Sequence, residues 1–141
     1  MRVKFSLFIE DFRAWASSRP DILAAALVGS RARGTAGPDS DVDLVILARE
    51  PQVYLDETAW AGRFGQVERQ QVEDYGRLCS LRVWYRGGPE VEYGFTDERW
   101  AALPLDEGTR RVVADGMRIL FERASILSGC LAQFHREDFH R

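Results

Sequence analysis

Two short aliphatic runs bracket a polar, glycine-rich loop, and no other feature constrains the fold of this 141-residue chain as strongly. Ile22 to Val28 and Val42 to Leu47 are almost wholly apolar. Runs of this length with so little polarity predict strands buried inside a sheet. Between them, Gly29 to Ser40 leaves room for one helical turn around Ser30 to Arg33.

The rest of the chain supplies what would cover and extend that sheet. Phe5, Phe8, Phe12 and Trp15 recur at helical spacing and predict an amphipathic helix over 4–17, ended at Pro20, which cannot continue the ladder. A further helix is expected over 52–62, closed by Gly62 and Gly65. Extended segments at 66–74, 78–86 and 90–96, separated by Gly76 and by Gly87-Gly88-Pro89, predict a β-meander. One helical turn at 98–102, a helix from Thr109 to Asp115, a strand from Met117 to Phe121 and a closing helix over 124–136 complete the order. Residues 1–141 are therefore expected to form one α/β (α+β) domain with a mixed central sheet flanked by helices.

Charge narrows the functional classes. The formal net charge is −3 and the pI about 5.4, without the basic excess of a protein that grips long nucleic acid through its phosphates. Cys79 and Cys130 lack any CxxC or histidine cluster, so they read as buried thiols and not as a zinc site or a disulfide framework. The apolar stretch Phe5 to Ile9 is cut short by Glu10 and Asp11, too soon for a signal peptide, and no later run approaches a membrane span. A cytoplasmic protein is expected.

Chemistry concentrates in Gly29-Ser30-Arg31-Ala32-Arg33-Gly34 and Ser40-Asp41-Val42-Asp43. Residues two apart on a strand share a face, so Asp41 and Asp43 project side by side. Two carboxylates at the head of a buried strand repel each other and resist desolvation. Mg²⁺ would compensate them, because it takes carboxylate oxygens together with phosphate oxygens and water. A strand ending in Gly-Ser brings backbone N–H groups close to an anion, and the serine hydroxyl can donate to it. Arg31 and Arg33 could add charge to the same phosphates or be solvated loop charges, and Ser40 is a turn former or a ligand. A third carboxylate would complete a two-metal site or deprotonate an acceptor. Glu90 and Glu92 share a strand face, and Glu92, deeper in the strand, is the one selected. Arg82, beside Trp84 and Tyr85, reads as core packing with a solvated charged face in preference to a base-stacking site. His135 and His140 read as surface tail.

Gly-Ser, a short glycine-containing loop, Asp-x-Asp on an apolar strand and a later acidic strand residue together resemble the nucleotidyltransferase superfamily related to DNA polymerase beta. The resemblance is carried by residues 27 to 47 and extends more weakly to about residue 122. It implies a nucleotide site at Gly29 and Ser30, to which Arg33 and Ser40 are added as candidate ligands from their place in the same loop. It also implies catalytic, metal-binding carboxylates at Asp41, Asp43 and Glu92, with two Mg²⁺ ions and an NTP as substrate. The implied reaction is transfer of a nucleoside monophosphate to a hydroxyl acceptor, small molecule or protein, with release of pyrophosphate. Small stand-alone members also act, antitoxin-like, with or on a helical partner protein. The third acid here is glutamate where many members carry aspartate. No long helical segment follows to bind an acceptor, so another subunit or a partner is expected to complete that cleft.

Overall fold

The computed structural model describes residues 4–37, 40–102 and 105–139, so His140 lies outside the described residues. Six strands form one sheet: β1 (Ile22–Val28), β2 (Val42–Ala48), β3 (Val67–Asp74), β4 (Cys79–Tyr85), β5 (Glu90–Thr96) and β6 (Met117–Glu122). Their spatial order is β3-β4-β5-β2-β1-β6. Every neighbouring pair is antiparallel except β2 and β5, which run parallel. The two aliphatic runs lie side by side at the centre, where strands buried on both faces belong. The mixed sheet agrees with the sequence expectation.

Helices cover the two faces unequally. On one face lie α1 (Phe5–Ser18) and α3 (Pro51–Asp56), followed by a 3-10 turn at Ala59–Phe64. Phe8, Phe12 and Trp15 of α1 meet Phe64 and the strand residues Tyr93, Leu81 and Val91 in the larger core cluster. On the other face, a 3-10 turn at Glu98–Ala101, α4 (Glu107–Asp115) and α5 (Ile126–Phe139) pack over β1 and the C-terminal part of β2. The start of β2 and the middle of β4 and β5 keep a polar row on that second face, consisting of Asp43, Glu92 and Arg82, each partly exposed. No helix among the described residues is long and apolar enough to cross a membrane.

Several boundaries differ from expectation for local reasons. The helix expected over 52–62 breaks at Glu57, whose backbone is extended. In a continuous helix, residues six apart point roughly 120° away from each other. Both Tyr54 and Trp60 belong to the aromatic cluster: Tyr54 stacks on Phe95 at 5.1 Å, and Trp60 meets Trp15 at 5.2 Å and Tyr93 at 4.8 Å. The break lets both turn inward, and the Trp60 indole N–H donates to the Tyr54 carbonyl at 2.9 Å. Helix α4 begins earlier than expected because Asp106 caps it, accepting from the Thr109 N–H at 2.8 Å. Helix α5 begins later, after Ala124 and Ser125 at positive φ. There the Glu122 carboxylate accepts from the N–H groups of Leu127 and Ser128 and from the Ser128 hydroxyl. Cys130 is buried, but Cys79 is only partly so, and both are free thiols.

Candidate functional site

Register gathers the charged residues. In the parallel pair, Asp43 of β2 lies opposite Glu92 of β5. In the antiparallel β4–β5 hairpin, Arg82 also lies opposite Glu92, and Trp84 lies opposite Glu90. Side chains alternate along each strand. Leu81, Val83, Val91 and Tyr93 go into the larger core, and Ser80, Arg82, Glu90 and Glu92 are left for the other face.

At the end of β1, Val28 pairs with Asp43, and Gly29 turns the chain into the single helical turn α2 (Ser30–Arg33). Gly29 adopts φ 74° and ψ −154°, a conformation natural only to glycine. A Cβ at this position would stand 2.8 Å from the Asp43 Oδ2. Backbone and carboxylate thus approach as closely as a missing side chain permits. Ser30 opens α2, and its carbonyl accepts from the Thr35 N–H at 3.0 Å.

The other expected loop ligands have structural bonds. Ser40 Oγ accepts from the Gly37 N–H at 2.9 Å, and its carbonyl accepts from Arg31 Nη2 at 2.8 Å. The Arg31 guanidinium also lies 4.2 Å from the centre of the Phe5 ring. Arg33 reaches away to the end of α4, donating to the Asp115 carbonyl at 2.9 Å and pairing with its carboxylate at 3.0 Å. The structure therefore brings Gly29, Asp43 and Glu92 together, with Asp41 beside them, and places the Arg33 and Ser40 side chains on neighbouring structural contacts.

Electrostatics mark the same place. Burial pushes the Asp43 carboxyl up to about 6, reinforced by the charges of Glu92 and Asp41 and by a hydrogen bond with Glu92. Asp41 is raised as well, first by loss of solvent and then by the adjacent Glu90. Arg31 attracts Asp41, and Arg82 answers the acids as a group. Arg82 donates through Nε to Glu73, through Nη1 to Glu90 at 2.6 Å and through Nη2 to Glu92 at 3.0 Å. Asp41 Oδ2 lies 3.7 Å from Nη1.

Beside the acids opens a cleft of about 240 Å³, lined by Val28, Gly29, Asp43, Leu78, Ser80, Glu92, Val112 and Asp115. Ser80 is fully buried, and its hydroxyl has no hydrogen-bond partner among the described residues. An unsatisfied buried hydroxyl is costly and calls for an explanation such as a bound ligand or water.

Sequence reasoning weighed Arg82 and Glu90 but passed over both, and it missed Glu73 and Ser80. The signal for the first two was present. The turn Gly87-Gly88-Pro89 sets the hairpin register, and alternation from Leu81, Val83 and Tyr85 puts Arg82 on the face of Glu92.

A family profile described as nucleotidyltransferase domain matches residues 9–85, more than half of the chain. No curated protein matches the sequence. Among solved structures, an aminoglycoside 6-adenyltransferase from Bacillus subtilis aligns with a TM-score of 0.52 at 16% identity. The alignment covers 67% of this chain and 35% of that one, so the chain spans about a third of that enzyme's length. A toxin-antitoxin structure with AMP-PNP aligns over 96% of this chain and 88% of its own, at 13% identity and a TM-score of 0.45. Terminal uridylyl transferase 4 from Trypanosoma brucei, with bound UPU, aligns over 79% and 38%, at 13% identity and a TM-score of 0.47. Glu92 lies beyond the stretch matched by the family profile, but the Gly29-Ser30 turn, Asp41 and Asp43 all fall within it, and the chain belongs to the nucleotidyltransferase family.

Proposed function

We propose that this chain transfers a nucleoside monophosphate group from an NTP to a hydroxyl acceptor, releasing pyrophosphate, with Mg²⁺ held at Asp41 and Asp43. The observation that carries the reading is the convergence of Asp43, Glu92 and the Gly29 backbone beside one cleft.

The residues present suit a hard divalent cation. All the donors are carboxylate oxygens, and Asp43 is crowded by two further acids whose repulsion Arg82 offsets only in part. Among the described residues no three acids, histidines or cysteines are spaced to cage an ion unaided. That agrees with Mg²⁺, which uses one or two carboxylates together with substrate phosphates and water. When bound, the ion would supply neutralisation of the phosphate charge.

The chain's own groups do the rest. The Gly29-Ser30 turn holds the triphosphate through backbone N–H groups and the serine hydroxyl. Glu92 takes the proton of the acceptor hydroxyl as its oxygen bonds to the α-phosphorus. The bond from that phosphorus to the bridging oxygen breaks, and pyrophosphate leaves. Val28, Leu78 and Val112 exclude water from the cleft, and the Ser80 hydroxyl offers a hydrogen bond to the bound substrate. Alignment and charge neutralisation supply most of the rate.

The acceptor belongs to a small molecule or a protein. A cleft of about 240 Å³ is small beside the roughly 300–1,000 Å³ usual for ligand sites. That favours completion of the acceptor side by a helical partner protein or by a second copy of the chain. The test is calorimetric titration of non-hydrolysable ATP and GTP analogues with Mg²⁺ into wild type and Asp43→Asn. Metal-dependent binding that is lost in the variant is expected. Equal binding by both proteins would remove Asp43 from the site.

A further inference from the structure

Arg82 has surroundings beyond what the proposed reaction uses. It sits in the middle of β4 with its side chain only 20% exposed, and every arm of its guanidinium meets a carboxylate. Those acids come from β3, from β5 and from the residue before β2. Strand register sets Glu92 opposite Arg82 with Glu90 two residues along, and Glu73 reaches across from its place opposite Ser80. A solvated surface pair has no need of such convergence.

The spacing of the acids fits an arginine better than an ion. Around Arg82, nitrogen to oxygen distances reach 2.6 Å at Glu90 and 3.0 Å at Glu92. Carboxylates arranged around a planar guanidinium stand farther apart than ligands drawn to about 2.0–2.1 Å from one Mg²⁺. Accordingly, five acids lie in this region, yet no three among the described residues are spaced to hold an ion. Glu92 is the pivot. Its Oε2 accepts from Arg82, and the residue stands directly opposite Asp43 on the neighbouring strand.

We infer that Arg82 stands in for a second divalent ion, compensating Glu90 and Glu92 so that the site takes a single Mg²⁺ at Asp41 and Asp43. This rests on the proposed nucleotidyl-transfer site and narrows its two-metal expectation to one. An arginine is permanently charged and binds carboxylates in a fixed planar fork. It therefore holds Glu92 in place before any substrate arrives, and Arg82 is a positioning residue.

The experiment counts Mn²⁺ ions bound per chain, by electron paramagnetic resonance, in the full chain saturated with a non-hydrolysable ATP analogue. One ion is expected for wild type and for Arg82→Lys, and two for Arg82→Gln. The melting temperature of Arg82→Gln should be the lowest of the three without divalent ions, and Mn²⁺ should raise it more than it raises that of wild type. This melting measurement keeps the test decisive if the variant is partly unfolded without metal. Two ions in wild type would overturn the inference and leave the nucleotidyl-transfer reading standing. So would a single ion in Arg82→Gln together with no extra stabilisation by Mn²⁺. Absence of any Asp43-dependent ion in wild type would instead sink the parent reading, and the inference with it.

Discussion

Asp43 ought to be a liability to the protein when no metal is bound, and the size of the liability can be worked out. Its carboxyl is raised from the ordinary 3.8 to about 6 by burial and by its acidic neighbours. An acid whose folded value lies above its unfolded value favours folding while it is protonated. That advantage is complete below about pH 4 and is lost as pH rises through about 6. At about 1.4 kcal/mol per pH unit, ionising Asp43 in the fold costs at most about 3 kcal/mol. Asp43 is only half-buried, so solvent screening brings the expected figure down to about 1.5 kcal/mol. Asp43→Asn keeps the shape and removes the charge. In a chelator it should be more stable than wild type by about 1.5 kcal/mol at pH 8, or about 3–6 °C in melting temperature. The difference should fade towards zero near pH 4. Adding Mg²⁺ and a non-hydrolysable nucleotide should reverse the order, because only wild type binds them. Denaturant titrations at pH 8 and pH 4 read this directly. A variant less stable than wild type at pH 8 would mean that the Asp43 carboxylate supports the fold, and the argument from repulsion would fail.

Two further substitutions probe the same cleft. Gly29→Ala should cost about 2–3 kcal/mol of stability, since alanine is strained in this glycine-only backbone region, and its Cβ would meet the Asp43 Oδ2 at 2.8 Å. Calorimetry should also show nucleotide binding at least about ten-fold weaker, whereas a stability loss under about 0.5 kcal/mol would show that the close approach is not maintained in solution. Ser80→Ala removes a buried hydroxyl that lacks a partner. The free protein should therefore be unchanged or up to about 1 kcal/mol more stable, while nucleotide or acceptor affinity falls. A destabilised variant with undiminished binding would indicate that Ser80 serves the core alone.

The sheet was legible because its central strands carry so little that is polar. Ile22 to Val28 and Val42 to Leu47 could be placed from composition and length, and the Gly-Ser turn and Asp-x-Asp pair that end and begin them followed by proximity. What escaped depends on partners far apart in sequence. The split at Glu57 answers to an aromatic cluster whose members come from α1, α3, the 3-10 turn and β5. No window over 52–62 contains that information.

Arg82 is a different case, because two of its partners could have been found. Isolated on β4, an arginine next to two aromatics reads as a solvated charge. Counting back from Gly87-Gly88-Pro89 pairs Trp84 with Glu90 and Arg82 with Glu92. Once Glu92 is taken as the third acid, the residue opposite it on the same face must either compensate its charge or add to it. Arg82 compensates it, with Glu90 as the next acid along the face. What stays beyond such counting is Glu73, which pairs by register with Ser80 yet reaches Arg82 through its side chain. Register of neighbouring strands is thus the level at which this site is encoded. Single-residue motifs locate Asp41 and Asp43, and only cross-strand pairing shows that a fixed cation already stands among the acids.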